Sequence, residues 1–265
     1  MCHDTDGRPP IAPIAGAAGD TRRITLEAGD GASTAAFLAR SSTPTAVGIV
    51  ILPDVRGLHP FYEELALRFA ENGVDALVVD YFGRTAPPPP RPADFDHVPH
   101  VEATTWAGQS ADIRAAADYL RSGEDARTEM LFSVGFCFGG RTAFLSATLG
   151  LDLAGAIGFY GPPTGPGRND APAPVEVAAQ FGSPVLGLFG GGDPSIPADA
   201  VRAFGDALDG AGILNRLVVF EGAPHSFFDR KAADFADVAD RAWATVLEFI
   251  DDRAAAVGVA RPSGT

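Results

Sequence analysis

Cysteine is scarce in this chain, which has two among its 265 residues, Cys2 and Cys137. Two thiols cannot build a disulfide framework, so disulfides are excluded as the organising device and a reducing compartment is expected. Cys2 belongs to a terminal segment that we expect to be mobile and chemically idle. Any thiol chemistry is therefore expected at Cys137.

Basic residues are also in short supply, with 20 Lys and Arg against 34 Asp and Glu and a formal net charge of -14. Nucleic acids and anionic membranes are bound by basic faces, so neither is expected as a partner. No apolar run approaches the ~18 residues that cross a bilayer. The N-terminal stretch MCHDTDGRPPIAPIAG lacks a basic region followed by an apolar core, so no secretory signal is expected and a cytoplasmic location is predicted.

What the chain does contain is an alternation of strand and helix patterns. The stretch RRITLEAGDGASTAAFLAR predicts two strands around the turn at 29–31. The apolar run over 46–52 is typical of a strand buried on both faces of a parallel sheet, and helices and strands then alternate to a last long helix over 235–250. We predict an α/β fold with a mostly parallel, doubly wound sheet flanked by helices and N-terminal antiparallel strands.

The expected domain boundaries follow from this alternation. Residues 21–255 are predicted to form one domain, after a mobile segment over 1–20 and before a disordered tail over 256–265. Within the domain, Pro60 suits the first position of a helix, and Ser110 is interpreted as the N-cap of the helix in SADIRAAADYLRSG.

Two proline-rich segments, 84–106 and 161–177, interrupt the alternation. Long irregular segments in a compact domain are often rims or lids over a site. Surface excursions stiffened by proline have the same composition, so both interpretations stay open for each segment.

The pattern G-F-C-F-G places Cys137 between Gly135 and Gly139, with a strand pattern before it and a helix pattern after it. This is the G-x-nucleophile-x-G arrangement, in which small flanking residues allow a strained turn and close strand–helix packing. The helix N-terminus favours a thiolate, and the Phe138 amide can donate to an oxyanion. A lone intracellular cysteine can instead be a small buried hydrophobe. The strand–turn–helix context favours the nucleophile.

A nucleophilic thiol needs a base, and the base needs an orienting carboxylate. Asp193 follows one predicted strand in LFGGGDPSIP, and His225 follows the last predicted strand in VVFEGAPHSFF. All three side chains are therefore expected at the carboxyl edge of the sheet, where α/β folds assemble their sites. An Asp after glycines is by itself often a turn residue, but the order nucleophile, acid, histidine is that of α/β-hydrolases.

The remaining histidines give weaker signals. His97 and His100 are spaced as metal ligands on a helix, but Pro99 lies between them and a third ligand is missing, so no metal site is predicted. His59 follows the first buried strand and is expected either to line the site or to fill a loop. No G-x-G-x-x-G motif follows a strand, so no cofactor is predicted.

The chain resembles the dienelactone hydrolase family of α/β-hydrolases from about Thr21 onward. The resemblance rests on the stretches ILPDVRGLHPFYEELALRFAENG, VVDYFGRTAP, VGFCFGGRTAF, GGGD and GAPHSFF. It implies a catalytic triad of Cys137, Asp193 and His225. It also implies an oxyanion hole formed by the backbone amides of Val55 and Phe138.

The resemblance extends to residues around this centre. It implies that Asp54, one methylene shorter than the glutamate of the best-known relatives, helps to activate the thiol. It implies that Arg84 meets a substrate carboxylate, although a surface salt bridge is an equal alternative for this side chain. His59, Tyr81 and Trp106 are the other residues expected to contact substrate.

One position departs from the family pattern. The members that cleave dienelactone carry an arginine four residues after the catalytic histidine, where this chain has Asp229, with Arg230 one residue later. A carboxylate there would repel a substrate carboxylate by about 1 kcal/mol or more near a partly buried site. The departure leaves the reaction type in place and argues against dienelactone as the substrate.

These observations predict a hydrolase that cleaves a small carboxylic ester or lactone through a cysteine thioester acyl-enzyme. Two alternatives stay open: an esterase or thioesterase for a different or larger substrate, and a ligand-binding protein without catalysis on a hydrolase fold. The expected partner is the small-molecule substrate, and the expected assembly is a monomer or small homo-oligomer.

Overall fold

The computed structural model describes residues 7–92, 94–123 and 125–259. Cys2 and the outer parts of the two expected terminal segments, 1–6 and 260–265, lie outside the described residues. One sheet contains eight strands: β1 Ala18–Glu27, β2 Ser33–Ser41, β3 Val47–Leu52, β4 Asp75–Val79, β5 Met130–Phe136, β6 Gly155–Phe159, β7 Val185–Gly190 and β8 Asn215–Phe220. The described helices are α1 Pro60–Glu71, α2 Val98–Glu102, α3 Trp106–Ser122, α4 Phe138–Ser146, α5 Ala198–Gly210 and α6 Ala236–Ala256.

The strand order across the sheet is β1-β2-β4-β3-β5-β6-β7-β8. β1 and β2 are antiparallel to each other, and β2 is antiparallel to β4. All strands from β4 to β8 in this order pair in parallel. The predicted fold class is therefore confirmed: a mostly parallel sheet flanked by helices, with antiparallel strands at the N-terminal edge.

Side chains alternate between two apolar clusters, one on each side of the sheet. In β3, Ile49 and Ile51 belong to the cluster that includes Phe69 of α1, whereas Val50 belongs to the cluster that includes Ile113 of α3. Every residue of β3 is buried, as expected for a strand covered on both faces. Burial of this kind fixes the strand register and hence the point where each strand ends.

The start of α3 differs from the sequence prediction. The N-cap is Thr105, not Ser110: its extended backbone lets the hydroxyl accept a hydrogen bond from the Gly108 amide. Ser110 lies one turn inside the helix, where its hydroxyl donates to the Trp106 carbonyl oxygen. The interpretation of Ser110 as the cap was wrong because an earlier residue already satisfies the first amides.

The ends of the expected domain also differ in detail. β1 begins at Ala18, before the predicted start at residue 21, and the Ser42 amide donates to the Ala17 carbonyl oxygen beside it. At the other end, α6 continues to Ala256. None of the described helices is long and apolar enough to cross a membrane.

Candidate active site

Cys137 lies on a tight turn between β5 and α4. Its backbone has φ +56° and ψ -113°, so a residue with a Cβ is held in the left-handed half of conformational space. The turn is closed by a hydrogen bond of 3.0 Å from the Cys137 amide to the Phe159 carbonyl oxygen. A Cβ on Gly135 would lie 1.9 Å from the Gly139 carbonyl oxygen, so the packing around the turn requires glycine.

The structure brings Cys137, His225 and Asp193 together. The His225 Nδ1 donates to Asp193 Oδ2 over 2.6 Å, and the Cys137 sulfur lies within hydrogen-bonding reach of the His225 ring. Because Asp193 occupies Nδ1, Nε2 is the ring nitrogen left for the sulfur. Ser195 fixes the other carboxylate oxygen: its amide and its hydroxyl both donate to Asp193 Oδ1.

The charges of this group favour a protonated imidazole. Burial acts against the charged ring, but the hydrogen bonds and negative charges of Asp193 and Cys137 outweigh it and raise the pKa of His225 to about 10. For Asp193, burial likewise opposes ionisation, and the hydrogen bonds from His225 and Ser195 lower its pKa below the ordinary value. The arrangement therefore favours a protonated His225 ring between the Asp193 carboxylate and the Cys137 sulfur.

Two backbone amides, at the ends of the neighbouring strands β3 and β5, donate no hydrogen bond among the described residues. Phe138 is the first residue of α4, where helix geometry supplies no acceptor for its amide. Val55 lies in the turn after β3 that is closed by the Gly57 amide and the Asp54 carbonyl oxygen over 3.1 Å. Within the described part of the chain, neither the Val55 nor the Phe138 amide donates a hydrogen bond. Such amides can stabilise an anion.

Asp54 does not point a free carboxylate at the thiol, because Arg56 holds it. The Arg56 amide donates to Asp54 Oδ1 over 2.8 Å, and its Nε donates to Oδ2 over 3.0 Å. Both residues are buried, with exposed fractions of 5% and 6%. Burial raises the pKa of Asp54, but the charge and hydrogen bonds of Arg56 outweigh it and lower that pKa below the ordinary value.

Asp229 lies close to this ion pair and to the histidine. Its carboxylate accepts a hydrogen bond of 3.1 Å from the hydroxyl of Tyr160, whose ring centroid is 4.9 Å from that of His225. Burial and the negative charge of Asp54 raise the pKa of Asp229, while Arg56 and Arg230 oppose the rise. The carboxylates of Asp54 and Asp229 thus both lie in the electrostatic field of the buried Arg56 guanidinium.

Arg84 is placed away from this group. Its guanidinium donates to Asp112 over 2.8 Å and to Asp30 over 2.6 Å, and it also contacts the Gly108 carbonyl oxygen. These ion pairs correspond to the salt-bridge alternative for Arg84 rather than to a free cation for a substrate. The backbone amide of Trp106 donates to Asp170 Oδ1 over 2.6 Å, outside the group formed by Cys137, His225 and Asp193.

Tyr81 and His59 support the turn that carries Val55. The buried Tyr81 hydroxyl donates to the Pro53 carbonyl oxygen, and its ring lies edge-on to that of Phe138 at 5.7 Å. His59 Nδ1 lies 2.9 Å from the Gly57 carbonyl oxygen, which can only accept, so Nδ1 carries the proton. Burial lowers the pKa of His59 to about 4, so this ring is neutral at physiological pH.

A cavity of about 840 Å³ opens next to the Val55 turn. Val55, Arg56 and His59 line one side of it, and the proline-rich segment from Pro89 to Val101 lines the other. That segment includes α2, so Pro99 does lie in a short helix, and His100 stacks on Phe95 with 5.0 Å between ring centroids. The described segment thus forms a wall of this cavity.

Arg56 and Tyr160 are residues of the site that the sequence patterns did not indicate. Tyr160 follows β6 directly, so the rule that placed Asp193 and His225 at the carboxyl edge would also have found it. Arg56 belongs to the stretch ILPDVRG, but a spacing of two residues from Asp54 does not reveal a buried contact.

The sequence model of the dienelactone hydrolase family matches residues 34–253. A putative carboxymethylenebutenolidase of Escherichia coli is 29% identical over 209 residues, which cover 76% of this chain and 75% of the relative. A probable 2-oxo-3-(5-oxofuran-2-ylidene)propanoate lactonase of a Bradyrhizobium species is 27% identical over 228 residues, with 83% and 90% covered.

Solved structures show the same fold. The crystal structure of a putative dienelactone hydrolase from Klebsiella pneumoniae superposes with a TM-score of 0.73 at 28% identity, covering 87% of this chain and 98% of that one. The family match spans the strand ends that carry Val55, Cys137, Asp193 and His225. The chain belongs to the dienelactone hydrolase family.

Proposed function

We propose that the protein hydrolyses a carboxylic ester or lactone through a thioester acyl-enzyme on Cys137. The observation that carries this proposal is the position of the Cys137 sulfur within reach of His225, whose Nδ1 donates to Asp193 over 2.6 Å. Cys137, His225 and Asp193 form a catalytic triad in this proposal. The names of the relatives support the reaction class, and the family match supports the positions.

In the acylation step, the Cys137 thiolate adds to the acyl carbon and the carbon–oxygen bond to the leaving group breaks. The proton for the leaving oxygen comes from His225 Nε2. The amides of Val55 and Phe138 bind the oxyanion that forms, a contribution of about 2.7–4 kcal/mol per donor in comparable sites.

In the deacylation step, His225 acts as a base toward water. Acylation removes the thiolate charge, which is one of the causes of the raised pKa of His225. The pKa of the imidazole therefore falls once the thioester has formed, and the ring can take a proton from water. The water oxygen replaces the sulfur on the acyl carbon, the sulfur leaves as the thiolate, and His225 keeps the proton taken from water, which restores the starting state.

The leaving group decides which esters suit this nucleophile. A thiolate is a weaker base than an alkoxide, so it is expelled from the tetrahedral intermediate in preference to a simple alkoxide. Leaving groups with a stabilised negative charge, such as enolates and phenolates, avoid this reversal. Enol lactones and aryl esters are therefore the expected substrates, ahead of ethyl esters.

The test uses p-nitrophenyl acetate and an enol lactone with wild-type, Cys137→Ala and His225→Gln proteins. We expect Cys137→Ala to lose turnover, and His225→Gln to accumulate an acyl adduct that mass spectrometry detects on Cys137. Cys2→Ala, the matched control for the other thiol, is expected to keep wild-type rates. Wild-type turnover by Cys137→Ala would contradict the proposal.

A further inference from the structure

The strand order divides the candidate active site into two sides. At the carboxyl edge of the sheet, β5 delivers Cys137 between β3 on one side and β6 on the other. His225 and Asp193 follow β8 and β7, beyond β6, whereas the Val55 turn and the proline-rich segment follow β3 and β4. The cavity of about 840 Å³ is lined mainly by residues that belong to β1 or follow β3 and β4, with Arg168 after β6 as the exception, so most of it is on the side of Cys137 opposite to the histidine.

This difference between the two sides of Cys137 indicates where the alcohol and acyl halves of an ester substrate would lie. If His225 delivers a proton to the leaving oxygen, the alcohol half must lie on the histidine side. The acyl half then extends from the acyl carbon past the Val55 amide, toward β3 and β4. A cavity that begins at Val55 lies where that acyl half would go.

The cavity wall is mainly apolar on the side of the proline-rich segment. Phe95, Val98 and Val101 line it together with prolines at 89, 90 and 92; the polar residues of this wall are Arg91, Asp94, Asp96 and His97, and both aspartates are exposed. Its volume of about 840 Å³ is within the range of pockets that hold small organic ligands. An acetyl group would leave most of this space unused.

The arginines in the wall are already matched by carboxylates. Arg56 pairs with Asp54, Arg91 with Asp80, and Arg23 with Glu63. The Arg91 guanidinium also lies over two aromatic rings, 5.5 Å from the centroid of Phe82 and 5.0 Å from that of Phe95, so the Arg91–Asp80 pair anchors the wall. Arg168 lies at an exposed position, where a carboxylate would gain little over water.

We propose that this cavity binds the acyl group of the substrate, and that the group is apolar, uncharged and longer than acetyl. The inference rests on the proposed function, because it uses His225 to orient the ester. In this inference the cavity selects the acyl group of the substrate, which the position of the triad alone does not determine.

The kinetic test varies the acyl chain with a constant p-nitrophenolate leaving group. We expect kcat/KM to rise at least about 16-fold from acetate to hexanoate, about twofold for each of four added methylenes, which is below the full value of a buried methylene. The mono-p-nitrophenyl ester of adipic acid, which adds a terminal carboxylate, is expected to react at least about tenfold more slowly than hexanoate because that charge lacks a buried counterion.

A substitution in the cavity wall tests whether the acyl group binds in this cavity. Val98 is 46% exposed and lines the cavity, so Val98→Trp fills space there without enlarging a core side chain. We expect it to reduce the hexanoate-to-acetate ratio of kcat/KM at least about fourfold, since it removes room for about two methylenes. Val257→Trp, at a position that is 62% exposed at the end of α6, is the matched control and should keep the wild-type ratio.

A binding measurement tests acyl-group binding independently of the proposed reaction at Cys137. Calorimetry with Cys137→Ala compares 4-nitrohexananilide with 4-nitroacetanilide, amides that resist hydrolysis. Tighter binding of the hexanoyl compound by at least about tenfold, lost on adding Val98→Trp, supports the cavity even if Cys137 is not the nucleophile. Equal affinities, a flat chain-length profile in an active enzyme, preference for the adipate ester, or rates that follow the length of the alcohol half would each overturn it.

Discussion

Arg56 donates its backbone amide and its guanidinium to the carboxylate of Asp54, so a buried ion pair closes the turn on both sides of Val55. The Asp54 amide donates to the Tyr62 hydroxyl over 3.0 Å, and the Tyr81 hydroxyl donates to the Pro53 carbonyl oxygen just before it. The amide that is proposed to bind the oxyanion is therefore held by its neighbours in a fixed turn. Positioning of this kind is what an oxyanion hole requires.

Removing Arg56 should leave the Asp54 charge buried without its partner. We expect Arg56→Leu to lower the free energy of unfolding by about 3–5 kcal/mol, the range for a broken buried pair. Urea denaturation at pH 7 measures this loss. The double variant Asp54→Asn, Arg56→Leu removes the stranded charge, so it should be more stable than Arg56→Leu alone. If the two are equally stable, the pair does not act as a unit.

The raised pKa of His225 predicts how stability depends on pH. A pKa of about 10 in the folded protein, against the ordinary 6.5, means that the folded state binds this proton more tightly. The resulting stabilisation is complete below pH 6.5 and is lost as the pH rises through about 10. The unfolding free energy of wild type should therefore be higher than that of His225→Gln. The difference should be largest near pH 6 and should shrink toward pH 10.

Nuclear magnetic resonance can check what raises the pKa of His225. The C2 proton signal that disappears in His225→Gln identifies the ring, and its titration gives the pKa directly. In Cys137→Ala the sulfur contribution is gone, so the pKa of His225 should fall below its wild-type value. Identical titrations near 6.5 in both proteins would show that neither Asp193 nor Cys137 holds the proton.

Asp229→Asn should make the site more tolerant of an anionic substrate. The amide still accepts from the Tyr160 hydroxyl, but a negative charge beside Asp54 and Arg56 is removed. We expect kcat/KM for the p-nitrophenyl monoester of succinic acid, relative to the butyrate ester, to rise about fivefold, equivalent to about 1 kcal/mol. Asp234→Asn, an exposed change on the same segment, is the control. An unchanged ratio would mean that Asp229 does not face the acyl half of the substrate.

The stability of Asp229→Asn has a definite pH dependence. Burial raises the pKa of Asp229 above its ordinary 3.8, so its ionisation costs stability as the pH rises from 3.8 through the folded-state pKa. Replacing the carboxyl by an amide removes this cost. Asp229→Asn should therefore be at least as stable as wild type at pH 7 by urea denaturation, with the difference shrinking below pH 4.

The sequence was sufficient to predict the strands and the edge where the site lies. Runs such as VGIVIL are buried on both faces, and their continuous apolar composition was enough to predict β3 and β5. Cys137, Asp193 and His225 could be brought together because each follows a predicted parallel strand. Their contacts were expected from this rule before the strand order was known.

The pairing of charged side chains could not be predicted in the same way. Arg84 meets Asp112 and Asp30, which are 28 and 54 residues away in the sequence, through packing that no local pattern encodes. The choice of Thr105 over Ser110 as a helix cap likewise depends on backbone angles, since both are suitable residue types. Local patterns identified the elements, and tertiary contacts decided which polar groups were already occupied.

Gly139 allows α4 to pack closely against β3, and replacing it should destabilise the protein. A Cβ there would lie 2.1 Å from the Leu52 carbonyl oxygen and 2.2 Å from that of Pro53, backbone atoms just before the Val55 turn. Gly139→Ala must push the helix from the strand, so we expect a loss of at least about 3 kcal/mol in unfolding free energy, or little soluble protein. Gly210→Ala is the matched control, because no atom lies within 4 Å of its added Cβ.

Alanine at Gly210, the last residue of α5, should raise the unfolding free energy by about 0.5–1 kcal/mol, since alanine favours the helix. Urea denaturation of both variants, with the soluble yield recorded for each, makes the comparison. The two alanines add the same methyl group, so opposite signs would isolate the close approach at Gly139. Wild-type stability of Gly139→Ala would instead mean that α4 does not lie as close to β3 as these distances require, and the spacing between the Phe138 and Val55 amides would then be wrong as well.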